Sequence, residues 1–269
     1  MKVGVIGTGR LGGMMVKGLA KSGILSTHSI IVQNRTEEKA VSLAGEVLGI
    51  QVVSSPAEVL KQSEVTFLCV KPQDFNEVLK QIGTHIPKEK LLVSTLLTPS
   101  LERLEQVIDG PLARVYPAVV QETGRGVALA AFGKKVSQSQ REKLNKLLGC
   151  FGKTLELPEN LFRLCGDITS CGPAFMTYMI GSLARVAIKR GLDPETARNA
   201  ALETMTATAG LLTQKQISFD DLVDLVATPG GCTAEGIKVL AGTLDDLVDK
   251  VFEATALREN EIAKQMIIV

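Results

Sequence analysis

The glycines at the start of the chain constrain its fold more than any other feature. The apolar run Val3 to Ile6 leads into Gly7-Thr8-Gly9-Arg10-Leu11-Gly12, and Met14, Met15 and Leu19 then recur at helical spacing. The first glycine suits a tight turn, the second a close approach to a pyrophosphate, and the third close packing of helix on strand. Free amides at the start of the helix would face that diphosphate. The predicted dinucleotide-binding residues here are Gly7, Thr8, Gly9, Arg10, Leu11 and Gly12.

The end of the second predicted strand indicates which dinucleotide is bound. After Ser29 to Val32 come Asn34, Arg35 and Thr36, where a site for NAD normally has an acidic residue about twenty positions past the glycines. An arginine between two neutral polar residues suits a 2′-phosphate, so we expect NADPH as the cofactor, with NADH possible. The alternative is that Arg35 is an ordinary exposed residue at a helix start.

A third part of the expected cofactor site follows the apolar strand Val65 to Val70. Loops at the carboxyl edge of a parallel sheet line its ligand crevice, so Val70, Lys71 and Pro72 are predicted to contact the cofactor. The alternative is a proline-started helix preceded by a solvated lysine.

The texture of the sequence changes near Asn160. Strand and helix patterns alternate up to Leu157, whereas long helical periodicities follow, the last from Leu244 to Met266. The predicted fold is α/β, with a Rossmann-type doubly wound sheet in a domain over residues 1–160 and an all-helical dimerisation domain over residues 161–269. Helices this apolar cannot cover one another, so we expect a homodimer with interlocked C-terminal helices, or a higher oligomer.

Composition favours a protein that acts on a small molecule. The 30 basic and 29 acidic residues give a net charge of +1, without a long block of either sign, so we expect no nucleic-acid partner. The apolar region 174–188 contains Arg185 and no stretch reaches the length of a membrane span, so we expect no membrane partner. Five widely spaced cysteines without a CxxC pair indicate neither a disulfide framework nor a metal site. With no leader before the first strand, the expected location is cytoplasmic.

A second candidate site lies between two helical patterns, in Thr228-Pro229-Gly230-Gly231-Cys232-Thr233. Two glycines let the backbone curl, and a helix begins at or near Thr233, so several amides can converge on an anion such as a carboxylate. The alternative is a plain helix-turn-helix with Thr233 as the N-cap.

Together these motifs resemble the pyrroline-5-carboxylate reductase family. The resemblance covers nearly the whole chain and rests on the glycine motif, Asn34-Arg35, Val70 to Gln73, Gly172-Pro173-Ala174 and Thr228 to Thr233, in this order. It implies reduction of the ring imine of pyrroline-5-carboxylate to proline, a step of proline biosynthesis, with NADPH or NADH. It also implies that Thr233 is catalytic, with its hydroxyl near the imine nitrogen. The substrate-binding residues it implies are Thr228, Gly230, Gly231, Cys232 and Thr233.

The expected chemistry needs little from the protein. An iminium is already a good hydride acceptor, so the protein mainly positions it. We therefore interpret His28 and His85 as solvated surface residues. Asp167, Glu203 and Glu235 are interpreted as helix-surface or cap residues, and Cys171 and Cys232 as small apolar residues.

Several departures from the family pattern leave other functions open. Tyr116-Pro117-Ala118-Val119-Val120 lacks the family's asparagine and threonine, Thr95 to Thr98 is bulkier than usual, and Cys232 replaces a threonine. One alternative is an NADP(H)-binding paralogue with altered or lost catalysis and a regulatory role, as in late-competence proteins. Another is a hydroxyacid dehydrogenase of the same plan, but Lys189 lacks the glycine-rich approach and nearby asparagine that such an enzyme needs.

Overall fold

One mixed sheet organises the first part of the chain. The structure is a computed structural model that describes residues 1–265; the predicted helix end at Met266 lies outside them. The strands of this sheet are β1 (Val3–Ile6), β2 (Ile30–Gln33), β3 (Gln51–Val52), β4 (Val65–Leu68), β5 (Leu91–Ser94), β6 (Leu112–Tyr116), β7 (Val127–Phe132) and β8 (Lys153–Glu156). Their spatial order is β3-β2-β1-β4-β5-β6-β7-β8, and neighbours are parallel except for the antiparallel pair β6 and β7.

Helices follow most strands and then dominate the C-terminal part. Within the described chain they are α1 (Arg10–Ser22), α2 (Glu37–Glu46), α3 (Pro56–Gln62), α4 (Phe75–Ile82), α5 (Leu101–Val107), α6 (Gln138–Leu148), α7 (Phe162–Gly166), α8 (Gly172–Lys189), α9 (Pro194–Lys215), α10 (Phe219–Val226), α11 (Cys232–Ala241) and α12 (Leu244–Gln265). A single π-helical turn, Asp167–Cys171, joins α7 to α8. The helical conformation is therefore continuous from α7 into α8.

Side chains of alternate strand residues pack into two separate hydrophobic cores, one on each face of the sheet. Val3 and Val5 are fully buried among residues of α1, α2 and α6, whereas Ile6 and Ile31 are buried among residues of α3, α4 and α5. A sheet covered on both faces by its crossover helices is doubly wound, so the predicted fold class is confirmed.

The order of the strands creates a crevice beside the first strand. The chain proceeds from β1 outward through β2 to β3 and then resumes on the other side of β1 with β4. The loops after β1 and β4 therefore diverge at the carboxyl edge of the sheet. Ligands of open parallel sheets bind at such a switch point.

Backbone contacts divide the chain into two compact units. One comprises Met1–Ser170 with the chain from Arg258, and the other comprises Cys171–Leu257, where α8 packs against α9. The domain boundary at residue 160 falls ten residues before this division and stays a prediction.

One helical stretch differs from the expectation about membrane spans. Glu159–Lys189 is 31 residues long with a mean hydropathy of 1.2 in its most apolar window, enough by length and composition to cross a membrane. The expectation that no stretch reaches this length is therefore wrong on that criterion. Arg185 does not prevent it, because a window of this length tolerates a charged residue. Only 6% of that window is buried.

Candidate functional site

The glycine turn after β1 has no room for a side chain at two of its positions. Gly7 has a φ of +95°, and a Cβ there would lie 2.5 Å from the carbonyl oxygen of Cys69. A Cβ on Gly12 would lie 1.9 Å from the carbonyl oxygen of Gly7. Both positions therefore require glycine, one for its backbone conformation and both for the close approach of neighbouring backbone.

The other side of the turn is open and polar. Gly9 is the N-cap of α1, and a Cβ there would meet no atom within 4 Å. The amides that follow it have no helical acceptor. The buried Oγ1 of Thr8 has no hydrogen-bond partner within residues 1–265. An open helix start beside an unsatisfied hydroxyl fits the diphosphate of a dinucleotide.

Asn34 joins the glycine turn to the loop after β2. The amide of Thr8 donates to Asn34 Oδ1 over 2.9 Å, and Asn34 Nδ2 donates to the carbonyl oxygen of Thr36 over 2.9 Å. A single side chain therefore fixes the spacing between two of the predicted cofactor-binding segments.

A cleft of about 400 Å³ brings most of the predicted residues together. Those that line it are Gly7, Gly9, Asn34, Arg35, Thr36, Val70 and Lys71. A neighbouring groove of about 480 Å³ shares Gly9 and adds Thr8 and Arg10. Leu11, Gly12 and Pro72 line neither space.

Charged residues in the cleft include three that the sequence patterns did not single out. Arg35 forms an ion pair with Asp74, which lies in the turn between β4 and α4. Lys39, one turn into α2, and Glu77 also line the cleft. Helical periodicity places Lys39 one turn beyond Thr36, a signal that was available, but no local pattern joins Arg35 to a residue 39 positions away.

The loop that lacks the family's polar residues is held by a side chain of its own. The amide of Ala118 donates to Gln121 Oε1 over 2.7 Å, and Gln121 Nε2 donates to the carbonyl oxygen of Phe151 over 3.0 Å. Gln121 is 1% exposed, whereas Val119 is 50% exposed. The loop is therefore ordered around a buried glutamine and presents an apolar side chain to solvent.

The Thr228 to Thr233 segment belongs to the second unit and has the predicted curled form. Gly230 has a φ of +75°, and a Cβ on Gly231 would lie 2.9 Å from Thr228 Oγ1. Gly231 is the N-cap of α11, which begins at Cys232, so the reading of Thr233 as the N-cap is wrong. Thr228, Cys232 and Thr233 are exposed. The first amides of α11 lack helical acceptors and Thr233 has no side-chain hydrogen bond in the described chain, which leaves both free for an anionic ligand.

The exposure of the other candidate residues agrees with the sequence analysis for the two histidines and disagrees for Asp167 and Cys232. His28 and His85 are exposed, as predicted. Asp167 is 4% exposed and forms a 2.8 Å ion pair with Arg163, so it is not a surface residue. Its place one helical turn after the half-buried Arg163 makes this pair possible. Cys232 is exposed, so the interpretation of it as a buried apolar residue is also wrong.

Fold and cleft together are those of a dinucleotide-binding protein, and comparisons with known proteins give the oxidoreductase class and the family. Residues 2–98 match the model for NADP oxidoreductases, coenzyme F420-dependent, and residues 159–262 match the model for pyrroline-5-carboxylate reductase dimerisation. The chain is 32% identical to the pyrroline-5-carboxylate reductase of Aquifex aeolicus, with 89% of each chain covered. It is 30% identical to ComE operon protein 4 of Bacillus subtilis, over 97% of this chain and 96% of that one. The chain belongs to the pyrroline-5-carboxylate reductase family.

A solved structure supports the fold over the full chain. The Plasmodium falciparum pyrroline carboxylate reductase, solved with NADP bound, is 22% identical, covers 98% of both chains and superposes with a TM-score of 0.86. At this identity the similarity establishes the shared architecture.

Proposed function

We propose that this protein reduces the ring imine of 1-pyrroline-5-carboxylate to proline with NADPH. The observation that carries the proposal is the start of α11, where unpaired amides and the Thr233 hydroxyl face solvent. They follow Gly230, which has a positive φ, and Gly231, where a Cβ would clash with Thr228. Such a start can bind a carboxylate and also offer a hydroxyl to a neighbouring nitrogen. The Aquifex relative bears the name of this activity.

In this proposal the first unit holds the cofactor. Gly9 and the amides that begin α1 bind the diphosphate, the Thr8 hydroxyl gains the partner it otherwise lacks, and Arg35 with Lys39 binds the 2′-phosphate. The nicotinamide supplies a hydride when bound. Lys71 and Val70 line the same cleft from the β4 side.

The substrate loop acts by binding and orientation. The amides of Cys232 and Thr233 bind the carboxylate, and the Thr233 hydroxyl donates a hydrogen bond near the ring nitrogen. Because a protonated imine already accepts hydride, this role asks for no strong acid or base among the described residues. Cys232 contributes its amide to the loop, so a threonine hydroxyl is not required at this position.

The proposal includes a homodimer formed through the helical unit, in the cytoplasm. The match of residues 159–262 to the dimerisation model supports this arrangement. So does α8, on which Tyr178 is 72% exposed and Leu183 is 67% exposed. Apolar side chains of this size in water are typical of a surface that another chain covers. Light scattering on the purified protein would test the expected mass of two chains.

The decisive test is turnover of the purified protein with NADPH and 1-pyrroline-5-carboxylate, followed at the nicotinamide absorbance and by proline formation. We expect both signals, with loss of turnover in Thr233→Val and retention of NADPH affinity. The matched control is Thr243→Val, which also removes an exposed hydroxyl from the second unit, but outside the loop. NADPH binding without proline formation would contradict the proposal and leave the NADP(H)-binding paralogue with altered or lost catalysis.

A further inference from the structure

The ion pair between Arg35 and Asp74 lies inside the cleft in which the cofactor is proposed to bind. Arg35 comes from the loop after β2, whereas Asp74 comes from the turn after β4. Arg35 Nη1 and Asp74 Oδ1 are paired, and both residues line the same cleft. An acidic group is thus placed against the residue that is expected to recognise a 2′-phosphate.

Asp74 has no helix-capping role that would explain its side chain. It immediately precedes α4, a position at which aspartate commonly caps a helix, but its side chain accepts no capping hydrogen bond. Its carboxylate is instead paired with Arg35. The side chain is 24% exposed and that of Arg35 is 78% exposed, so the carboxylate is the more enclosed member of the pair.

We propose that Asp74 sets the balance between NADPH and NADH by competing with the 2′-phosphate for Arg35. A phosphate group carries about −1.5 to −2 charges at neutral pH and is repelled by a neighbouring carboxylate. To bind it, Arg35 has to leave Asp74 or be shared between the two anions. A ribose 2′-hydroxyl, by contrast, donates a hydrogen bond to the carboxylate without disturbing the pair. The affinity for NADPH therefore exceeds that for NADH by a smaller factor than it would if Arg35 had no acidic partner.

Lys39 explains why the site still accepts a phosphate. It lines both the cleft and the neighbouring groove, and it has no ion-pair partner in the part of the chain that the structure describes. Its charge is available to a 2′-phosphate while Arg35 remains partly engaged with Asp74. This inference rests on the proposed cofactor site but not on the identity of the substrate.

The test measures the affinities of 2′,5′-ADP and 5′-AMP for the full-length protein by calorimetry, because these probes differ only in the 2′-phosphate. Asp74→Asn should raise the affinity for 2′,5′-ADP about three- to tenfold and change the affinity for 5′-AMP less than about twofold. Glu77→Gln is the matched control, since it removes the same charge from the same cleft without touching Arg35. It should shift the ratio of the two affinities much less than Asp74→Asn does, because only Asp74 pairs with Arg35.

The same titrations contain the results that would overturn the inference. Equal changes for the two probes in Asp74→Asn, or an equal shift of the ratio in Glu77→Gln, would contradict it. In an Arg35→Ala background the effect of Asp74→Asn should fall by at least about half, and a full effect there would also contradict it. If the unsubstituted protein binds neither NADPH nor 2′,5′-ADP, the proposed function fails together with this inference. Binding with an unchanged ratio overturns the inference alone.

Discussion

The side-chain oxygen of Asn34 accepts a 2.9 Å hydrogen bond from the backbone amide of Thr8, across 26 residues of sequence. This bond joins the glycine turn after β1 to the loop after β2. The same side chain donates to the carbonyl oxygen of Thr36, so it supports both segments from between them. The two halves of the proposed adenosine pocket are thereby held at a fixed spacing before any ligand binds.

Asn34→Ala should weaken NADPH and NADH alike. Loss of two neutral hydrogen bonds that preorganise the loops should reduce both affinities roughly tenfold, about 1.4 kcal/mol. Arg35→Ala is the comparison. Because it removes a charge-assisted contact, it should weaken the free energy of NADPH binding by roughly 1 to 3 kcal/mol and that of NADH binding much less. Calorimetric dissociation constants for both cofactors would check this. A selective effect of Asn34→Ala on NADPH alone would mean that it contacts the phosphate and does not brace the loops.

Two adjacent glycines of α1 should respond in opposite directions to alanine. A Cβ on Gly12 would meet the Gly7 carbonyl oxygen at 1.9 Å, whereas the nearest atom to a Cβ on Gly13 lies 3.8 Å away. Gly12→Ala should lower the free energy of unfolding by at least about 2 kcal/mol. Gly13→Ala should raise it by up to about 1 kcal/mol, because alanine favours a helix interior. Denaturant unfolding would measure both free energies, and similar changes in the two variants would contradict this difference in packing between Gly12 and Gly13.

The Cys69 thiol should make the protein sensitive to alkaline pH. Its sulfur lies 3.7 Å from Met15 Sδ, and burial raises the pKa of Cys69 to about 12 from an ordinary value of 9.0. A thiol that holds its proton more tightly when folded contributes stability that is present below pH 9 and is lost as pH rises toward 12. Between pH 9 and 11, the free energy of unfolding of the unsubstituted protein should fall by about 2 to 3 kcal/mol more than that of the Cys69→Ala variant. Chemical unfolding at stepped pH would measure the difference. Parallel pH profiles would show that the thiol is accessible to water.

Glu259 should destabilise the folded protein at neutral pH. Burial raises the pKa of Glu259, partly offset by the charges of Arg163 and Arg114. A raised carboxyl pKa means that stability is greatest below the ordinary value of 4.5 and falls as pH rises from there through the folded-state pKa, because the unfolded chain ionises first. Glu259→Gln should therefore raise Tm at pH 7 by about 1 to 3 °C and have little effect at pH 4.

Glu261→Gln is the control on the same helix. Its carboxylate is exposed and pairs with Arg258 over 2.7 Å, so its removal should not raise Tm. An equal gain from both variants would indicate a general charge effect on α12.

Local patterns predicted the elements well but not the pairing of side chains. The strand at Val3–Ile6 has the predicted bounds, because its apolar run ends directly at the first glycine of the motif. The glycine turn was also predictable from its motif, since Gly7 and Gly12 meet the steric demands of the turn and Gly9 leaves the start of the helix open. The pairing of Arg35 with Asp74 depends on how two distant loops meet at the sheet edge, which no local pattern encodes. Gln121 was missed for the same reason, because its partner Phe151 lies 30 residues later.

Transfer of a hydride from NADPH to the carbon of an imine is the reaction proposed for this chain. The most direct measurement uses NADPH carrying deuterium at one of the two transferable positions, with 1-pyrroline-5-carboxylate, and analyses the proline by mass spectrometry and NMR. We predict one deuterium at the carbon of the former C=N bond, from only one of the two labelled cofactors, and none with Thr233→Val. Cofactor that binds yet leaves no deuterium in proline would contradict the claim.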